Sequence, residues 1–172
     1  GIVTLYTGMS IVMTIFPLYA QDTLAISEST TGLLLLFRGM STCVGFYLLG
    51  KFHFWHFKRR YIFTVQIAFG LLCLVAMGFS SPVPYALFFV LFGFLFALAY
   101  TQSMFHGVSG AVHRSRRMVI HEVLLTVGTI LGAVGGGAIY EHLSFSSVLA
   151  VCGVVALVVV AVEMIRAVAS GR

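Results

Sequence analysis

The stretch VLAVCGVVALVVVAVEMI, residues 148–165, carries a single charged side chain, Glu163. An α-helix rises about 1.5 Å per residue, so roughly 20 apolar residues cross a hydrocarbon core of about 30 Å. The strands of a membrane β-barrel would alternate polar and apolar residues over shorter segments, and this stretch shows no alternation. It therefore predicts a transmembrane α-helix.

The composition of the whole chain extends this prediction. Of its 172 residues, 60% are hydrophobic and 9% are charged, and the mean hydropathy is +1.06. A water-soluble domain of this length would need a more charged surface, so the bilayer must be the solvent. Polar breaks leave six helix-sized apolar stretches, near 2–20, 31–50, 60–79, 83–105, 117–139 and 146–168. We predict an all-α, polytopic membrane helical bundle that forms a single six-helix transmembrane domain over 1–172.

The start of the chain and its cysteines add two expectations. The chain begins at Gly1, without a methionine and within an apolar stretch, so we expect it to be a piece of a longer protein. Cys43, Cys73 and Cys152 fall in separate apolar stretches and form no C-x-x-C pair. They are expected to pack as small hydrophobic side chains.

Basic residues lie in the loops on one side of the predicted bundle. They are Lys51, Lys58, Arg59, Arg60, Arg114, Arg116, Arg117, Arg166 and Arg172. The loops on the other side contain no lysine or arginine and carry Asp22, Glu28 and Glu141. Because cytoplasmic loops are enriched in lysine and arginine, we predict that both ends of the chain are cytoplasmic and that it resides in the plasma membrane.

The formal net charge of +5 requires no nucleic-acid partner, because positive loops against anionic lipid account for it. The run KFHFWHFKRR, residues 51–60, does interleave aromatic and basic residues as a nucleic-acid surface would. It lies where a transmembrane helix leaves the bilayer, so we interpret it as an interfacial aromatic belt with basic side chains at the headgroups. The lipid bilayer is the expected partner.

The segment HGVSGAVHRSRR, residues 106–117, contains the G-x-S-G tetrapeptide of rhomboid intramembrane proteases. In those enzymes the serine begins an apolar helix, and a histidine in the last helix acts as its general base. Here Ser109 is followed by a basic turn, and the last apolar stretch contains no histidine. A flexible turn is the better interpretation, and the protease is kept as a remote alternative.

Other patterns of catalytic or cofactor chemistry are incomplete. HEVLL, residues 121–125, has Leu125 where a zinc-protease helix would place its second histidine. His53 and His56 are interpreted as interfacial rings rather than metal ligands. The glycines of GAVGGGAIYE, residues 132–141, lack the preceding strand and the Lys-Ser/Thr pair of a phosphate loop. No catalytic residue, metal or cofactor is predicted.

Polar residues at membrane depth form stripes on some of the predicted helices. Spacings of three, four and seven residues place each set on one helix face. The three stripes are Thr7, Ser10 and Thr14; Arg38, Ser41 and Gly45; and Glu122, Thr126 and Thr129. The fourth helix carries Tyr100, Thr101, Gln102 and Ser103 together. Helices 1, 2, 4 and 5 therefore have a polar face, whereas helices 3 and 6 are expected to be dry.

Two charged residues stand out among these stripes. Serines and threonines in membrane helices usually bond their own backbone, so most of the hydroxyls are expected to be structural. Arg38 and Glu122 differ, because a charge at membrane depth costs about 2.5–3.5 kcal/mol on insertion scales and needs a partner or water. Helix geometry places Arg38 in the outer half of the bundle and Glu122 near its inner end. We expect both to face an interior cavity without a direct ion pair.

These features resemble the C-terminal six-helix half of a major facilitator superfamily transporter, and the resemblance covers the whole chain. It implies two inverted three-helix repeats, in which the first, second, fourth and fifth helices line a central cavity and the third and sixth face lipid. The polar and dry faces inferred from spacing agree with that arrangement. The resemblance also implies a parent chain of twelve helices, of which this segment is one half.

A loop motif after the second helix supports the resemblance. The family pattern G-x-x-x-D-x-x-G-[RK]-[RK] is partly present in GKFHFWHFKRR, residues 50–60. Gly50, Lys58 and Arg59 match the pattern. Phe54 replaces the acid and Phe57 replaces the second glycine, which weakens any charge-relay gate at this loop.

A glycine motif in the fifth helix also supports it. GTILGAVGGG, residues 128–137, is similar to the family pattern G-x-x-x-G-P-x-x-G-G, with alanine in place of proline. The matching positions are Gly128, Gly132, Gly136 and Gly137. Small residues four apart let two helices approach closely, as an interdomain contact would require.

The implied function is secondary active transport of a small solute by alternating access. Glu122 with His121 is the candidate site for a coupling proton, and Arg38 is the candidate contact for an anionic substrate or a carboxylate. The predicted pathway comprises Thr7, Ser10, Thr14, Arg38, Ser41, Gln102, His121, Glu122, Thr126 and Thr129. The expected protein partner is an N-terminal six-helix half of the same chain or a second copy. The alternative is a non-transporting six-helix membrane scaffold or assembly subunit.

Overall fold

The computed structural model describes residues 2–53, 55–56, 58, 60–110 and 112–169. Within these ranges the regular structure is entirely α-helical. The six helices are α1 (Ile2–Asp22), α2 (Glu28–Lys51), α3 (Arg60–Ala76), α4 (Pro82–Val108), α5 (Arg114–His142) and α6 (Phe145–Ala169). The predicted all-α fold class is confirmed.

The helices differ from the predicted apolar stretches mainly at their ends. Among the described residues, five helices are long and apolar enough to cross a membrane, whereas α3 has 17 residues and stops at Ala76, short of the expected 79. α5 begins at Arg114 rather than 117 and ends at His142 rather than 139. Hydropathy marks the part of a helix that lies in lipid, but backbone hydrogen bonding can continue into polar residues beyond it.

The helices pair according to an internal two-fold relation. α1 packs most extensively on α5, α2 on α4, and α3 on α6. The two-fold relation exchanges α1 with α4, α2 with α5 and α3 with α6. Under this exchange the α1–α5 pair becomes the α4–α2 pair, and the α3–α6 pair is unchanged. This pairing is that of two inverted three-helix repeats, as predicted.

An aromatic core holds α1, α4 and α6 together at the end of the bundle opposite the basic loops. The ring centroid of Phe16 lies 4.6 Å from that of Phe89 and 5.1 Å from that of Tyr85. Tyr19 stacks on Phe145, with centroids 4.4 Å apart. Tilted and offset ring contacts of this kind add to the energy of apolar burial. Of the five spanning helices, α1 is the most buried and α2 and α5 are the least buried.

Glycines allow the close approach of α5 to α1. A Cβ on Gly132 would lie 2.7 Å from the Thr7 carbonyl oxygen, and one on Gly136 would lie 2.7 Å from Cγ2 of Ile11. Gly128 lies one turn earlier, where a Cβ would be 3.3 Å from Oγ1 of Thr7. These three glycines therefore pack against a helix of the same bundle, whereas the sequence suggested an interdomain contact.

Two further glycines depart from the predicted packing stripe. Gly137 does not share the α1 contact, because it lies about 100° around the helix from Gly136, and no atom is within 4 Å of its Cβ position. Gly93 of α4 was not predicted, yet a Cβ there would overlap the Ser41 hydroxyl and the Arg38 carbonyl of α2. Close contact thus occurs in both symmetry-related pairs, α1–α5 and α2–α4.

Trp55, in the loop between α2 and α3, packs onto the bundle. Trp55 is 2% exposed, and its Nε1–H donates to the Leu49 carbonyl oxygen at 3.1 Å. Its side chain packs against Ala97 and Phe105 of α4. The interpretation of Trp55 as part of an interfacial belt is therefore wrong. The carbonyls in the last turn of α2 lack intrahelical partners, and the indole satisfies one of them.

Candidate functional site

Polar side chains from α1, α4 and α5 meet near the basic-loop end of the bundle. At their centre is Ser103 of α4, whose Oγ lies 3.0 Å from Oη of Tyr6 in α1 and 2.6 Å from Nε2 of His121 in α5. The Ser103 hydroxyl also donates to the Tyr100 carbonyl oxygen at 3.0 Å. One hydroxyl therefore links three helices.

The connection continues from His121 to Glu122. Nδ1 of His121 lies 3.2 Å from Oε1 of Glu122, and the Tyr100 hydroxyl donates to the same oxygen at 3.0 Å. The side chain of His121 is 10% exposed and that of Glu122 is 52% exposed. The connection thus runs from a buried tyrosine hydroxyl to a carboxylate on an open face. We call Tyr6, Tyr100, Ser103, His121 and Glu122 the polar network.

Helix geometry explains why these side chains meet. Tyr100 and Ser103 are three residues apart on α4, so they share one helix face. His121 and Glu122 are adjacent on α5, so their side chains diverge by about 100°, one into the bundle and the other toward its open face. Thr101, between the two α4 members, donates instead to the Ala97 carbonyl of its own helix at 2.7 Å.

Arg38 of α2 approaches the polar network through aromatic rings. Its guanidinium carbon lies 4.9 Å from the ring centroid of Phe96 and 5.9 Å from that of Phe92. Phe96 in turn stacks on Tyr100, with centroids 6.2 Å apart and an interplanar angle of 23°. Nε of Arg38 is buried and, among the described residues, has no hydrogen-bond partner. Cation–π contacts thus hold the arginine while its Nε–H stays uncommitted.

The hydroxyls of the predicted pathway divide by exposure. Thr14, Thr126 and Thr129 are exposed, whereas Thr7 and Ser10 are partly buried. Ser10 donates across helices to the Thr129 carbonyl at 3.1 Å. Thr7, Thr126 and Thr129 each donate to the carbonyl four residues earlier in their own helix. These bonds are the structural ones expected of membrane helices, and they leave the charged residues as the distinctive groups.

Ser41 and Gln102 lie inside the bundle rather than on its open face. Ser41 is 6% exposed and donates to the Arg38 carbonyl at 2.9 Å, directly beneath Gly93 of α4. Gln102 is 1% exposed and borders a cavity next to α3. The sequence places both on the pathway because spacing identifies a helix face but not the neighbour that covers it.

Three members of the polar network, Tyr6, Tyr100 and Ser103, are absent from the predicted site residues. Tyr6 precedes Thr7 on the most buried spanning helix, and a tyrosine in an apolar run resembles a packing residue. Ser103 belongs to the polar cluster at the end of α4. The spacing of Tyr100 and Ser103 was the signal in the sequence that could have identified it.

The loop motif after α2 is only partly described by the structure. Gly50 is exposed near the end of α2, with no atom within 4 Å of its Cβ position, and Lys58 is also exposed. Arg59 lies outside the described residues, as do Phe54 and Phe57. The matching position Arg59 therefore stays a prediction.

The serine of the G-x-S-G segment follows a helix instead of beginning one. Ser109 is the residue after α4, and its N–H donates to the Phe105 carbonyl at 2.9 Å. Gly110 follows with φ +72°, a left-handed conformation that glycine adopts readily. Ser109 and Gly110 therefore form a turn at the end of α4. The rings of His53 and His56 meet edge to face, with centroids 5.0 Å apart. The described residues include no group of three His, Cys, Asp or Glu side chains that could hold a metal ion.

An open pocket of about 590 Å³ borders the polar network. Its wall is mostly apolar and comes from α2, α4, α5 and the loops at their basic ends. Tyr100 belongs to both the pocket and the polar network, and Arg114 is the charged residue of the wall. Pockets of a few hundred Å³ with an apolar wall and few polar groups are typical binding sites for small molecules.

The described residues form six helices in two inverted repeats, and five of these helices are able to span a bilayer. A polar network lies beside an open pocket. These features define a polytopic helical membrane protein. The family model of the Major Facilitator Superfamily matches residues 1–169. The chain therefore belongs to this superfamily, whose members are transporters. No curated protein and no solved structure matches the chain.

Proposed function

We propose that the chain is one half of a secondary active transporter that carries a small organic anion across the plasma membrane by alternating access. In this proposal both ends of the segment are cytoplasmic, as the loop charges indicate. The second wall of the cavity comes from an N-terminal six-helix half of the same chain or from a second copy. The exposed polar residues of α1 and α5 support this arrangement, because they would otherwise face lipid.

The observation that carries the proposal is the chain of contacts from Tyr6 through Ser103 and His121 to Glu122. In one arrangement of the network, the Ser103 hydroxyl donates its single proton to the Tyr100 carbonyl and accepts from both Tyr6 and His121 Nε2. With Nε2 protonated, the contact between His121 Nδ1 and Glu122 needs a further proton, because a carboxylate can only accept. In that arrangement one proton lies between His121 Nδ1 and Glu122, and the proposal takes this arrangement as the proton-loaded state.

Loss of one proton from this state would rearrange the hydrogen bonds. If the proton leaves from Nε2, the neutral His121 keeps the proton on Nδ1, donates it to the Glu122 carboxylate and presents Nε2 as an acceptor. The Ser103 hydroxyl would then turn from the Tyr100 carbonyl to Nε2. Proton release would thus alter the contact between α4 and α5 beside the open pocket. Coupling requires such a differential contact between two states.

Arg38 supplies the charge that an anionic substrate would contact. Its guanidinium lies against Phe96, and that ring also meets Tyr6 of the polar network edge to face, with centroids 6.2 Å apart. The anion site and the proton site therefore share one aromatic ring. An anion bound at Arg38 would press on the same ring that packs against the proton-carrying network.

The test uses the full-length protein in proteoliposomes with a pH-sensitive dye inside and a panel of small organic anions outside. We expect anion addition to move protons into the wild-type vesicles. Glu122→Gln keeps an acceptor for Tyr100 but cannot hold the shared proton, so its transport should lose its pH dependence. Glu141→Gln, at the other end of α5, is the matched control and should behave as wild type. Wild-type proton movement in Glu122→Gln would contradict the proposal.

A further inference from the structure

A second polar site lies inside the bundle, between α1, α3 and α4. It is a cavity of about 10 Å³ bounded by Leu5, Ile62, Val65, Gln66, Ala99 and Gln102. Among the described residues that bound it, Gln66 and Gln102 carry the polar side chains. The site borders α3, which the spacing of polar residues had classified as dry.

The buried side-chain amide of Gln102 is the central feature of this site. It is 1% exposed and, in the part of the chain that the structure describes, neither its Oε1 nor its Nε2 has a partner. Gln66 is 2% exposed, and its Nε2 donates to Oε2 of Glu163 in α6 at 3.2 Å. Buried side-chain amides almost always have hydrogen-bond partners, so we expect a polar molecule in the cavity beside Gln102.

The three polar residues lie at one level of the bundle. Gln66, Gln102 and Glu163 are each about six residues, or roughly 9 Å, from the basic-loop end of their helices. This level is near the end of the bundle that carries the basic loops. Water can therefore reach the cavity without crossing the aromatic core at the opposite end.

We propose that this cavity binds one water molecule between the amides of Gln66 and Gln102. A volume of about 10 Å³ is close to that of a single water-sized probe. Water both donates and accepts, so one molecule can serve the carbonyl oxygen of one amide and the amino group of the other. A metal cation would find at most two amide oxygens here, fewer than the six or more that Ca²⁺ and Mg²⁺ take, and an apolar ligand would leave the Gln102 amide unpaired. The site does not depend on the proposed transport activity.

The water gives Gln66 a positioning role toward α6. Held by the water on one side, the Gln66 amide keeps its Nε2 directed at Glu163, a carboxylate within the predicted span of α6. Gln102 and Ser103 are adjacent on α4, so they face different neighbours. Through the water and the bond from Gln66 to Glu163, this site connects α4 with α3 and α6, whereas the polar network connects α1, α4 and α5.

The direct test is radiolytic footprinting of the full-length protein in ¹⁸O-labelled water. X-rays convert a bound water into a hydroxyl radical that oxidises the side chains next to it. Val65 borders the cavity and is 1% exposed, whereas Val148 is 0% exposed in the core and serves as the matched control. We expect ¹⁸O at Val65 and background labelling at Val148. Equal labelling of the two valines would overturn the proposal.

A variant gives a second, independent readout. Gln102→Leu removes the water's partner, so Val65 labelling should fall to the Val148 level and the Tm should decrease. If the amide had no water, its replacement by leucine would remove an unpaired polar group and raise the Tm, which would overturn the proposal. Thr101→Val, whose hydroxyl bonds its own helix, is the control and should leave Val65 labelling unchanged.

Discussion

Gly70 of α3 and Gly153 of α6 face each other at the crossing of their helices. A Cβ on Gly70 would lie 3.0 Å from the Gly153 carbonyl oxygen and 2.8 Å from Cγ of Leu157. A Cβ on Gly153 would lie 2.9 Å from the Gly70 carbonyl oxygen and 2.9 Å from Cγ of Leu74. Each glycine precedes its leucine by four residues, so the contact is the same from both sides. An internal two-fold axis between α3 and α6 requires this equivalence.

Gly70→Ala and Gly153→Ala should therefore destabilise the protein. The added methyl group meets a backbone carbonyl that cannot move aside, and overpacking of this kind costs about 1–3 kcal/mol. We expect a Tm lower by several degrees in a detergent melt. Gly137→Ala is the matched control, since its Cβ would meet no atom within 4 Å and the change should be neutral or stabilising. A Gly70→Ala variant as stable as Gly137→Ala would show that the helices are not in this close contact.

Arg38→Ala should weaken substrate binding and leave the pH dependence of transport unchanged. A hydrogen bond to a charged group contributes about 1.5–3 kcal/mol, so the KM for the anion should rise roughly tenfold or more. Arg38→Lys keeps the charge but loses the planar stacking on Phe96, so its KM should be intermediate. The measurement is uptake against anion concentration at several pH values. A pH profile altered as in Glu122→Gln would count against separate roles for the two charges.

Ser103→Ala should alter the pH dependence of transport, because it removes the hydroxyl that joins Tyr6 to His121. We expect a roughly tenfold lower rate at the optimum, since a buried bond to an ionisable partner is lost. Thr101→Val controls for the loss of a nearby hydroxyl, because the Thr101 hydroxyl donates to a carbonyl of its own helix. Proton-dependent uptake is the measurement. The network would have no part in coupling if both variants gave the wild-type profile.

The orientation predicted from the loop charges can be checked by cysteine labelling. Ser81→Cys and Ser144→Cys should react with a membrane-impermeant maleimide in intact cells, whereas His56→Cys and Ser115→Cys should react only after lysis. The exposed native Cys43 is replaced first to remove its background. Because lysine and arginine cluster on one side, the opposite labelling pattern would reverse the proposed topology.

Hydropathy and charge were sufficient for the fold class. The transfer of residues 148–165 into lipid is a sum of local terms, so a linear scan can locate the helix without knowledge of its neighbours. The glycine spacing of 128, 132 and 136 likewise predicted one close helix contact, because a period near four returns to the same face. Glu122 was selected as a site residue for the same reason, since the cost of a charge at depth is local.

The partners of these residues depended on the tertiary structure. Gln102 and Ser103 are adjacent polar residues, yet one borders a cavity beside α3 and the other joins Tyr6 to His121. Trp55 resembles an interfacial residue in the sequence, but it is buried against α4. Sequence periodicity states which residues share a helix face. Which neighbour covers that face follows from the rotation and crossing of all six helices, and close packing of side chains far apart in the chain determines it.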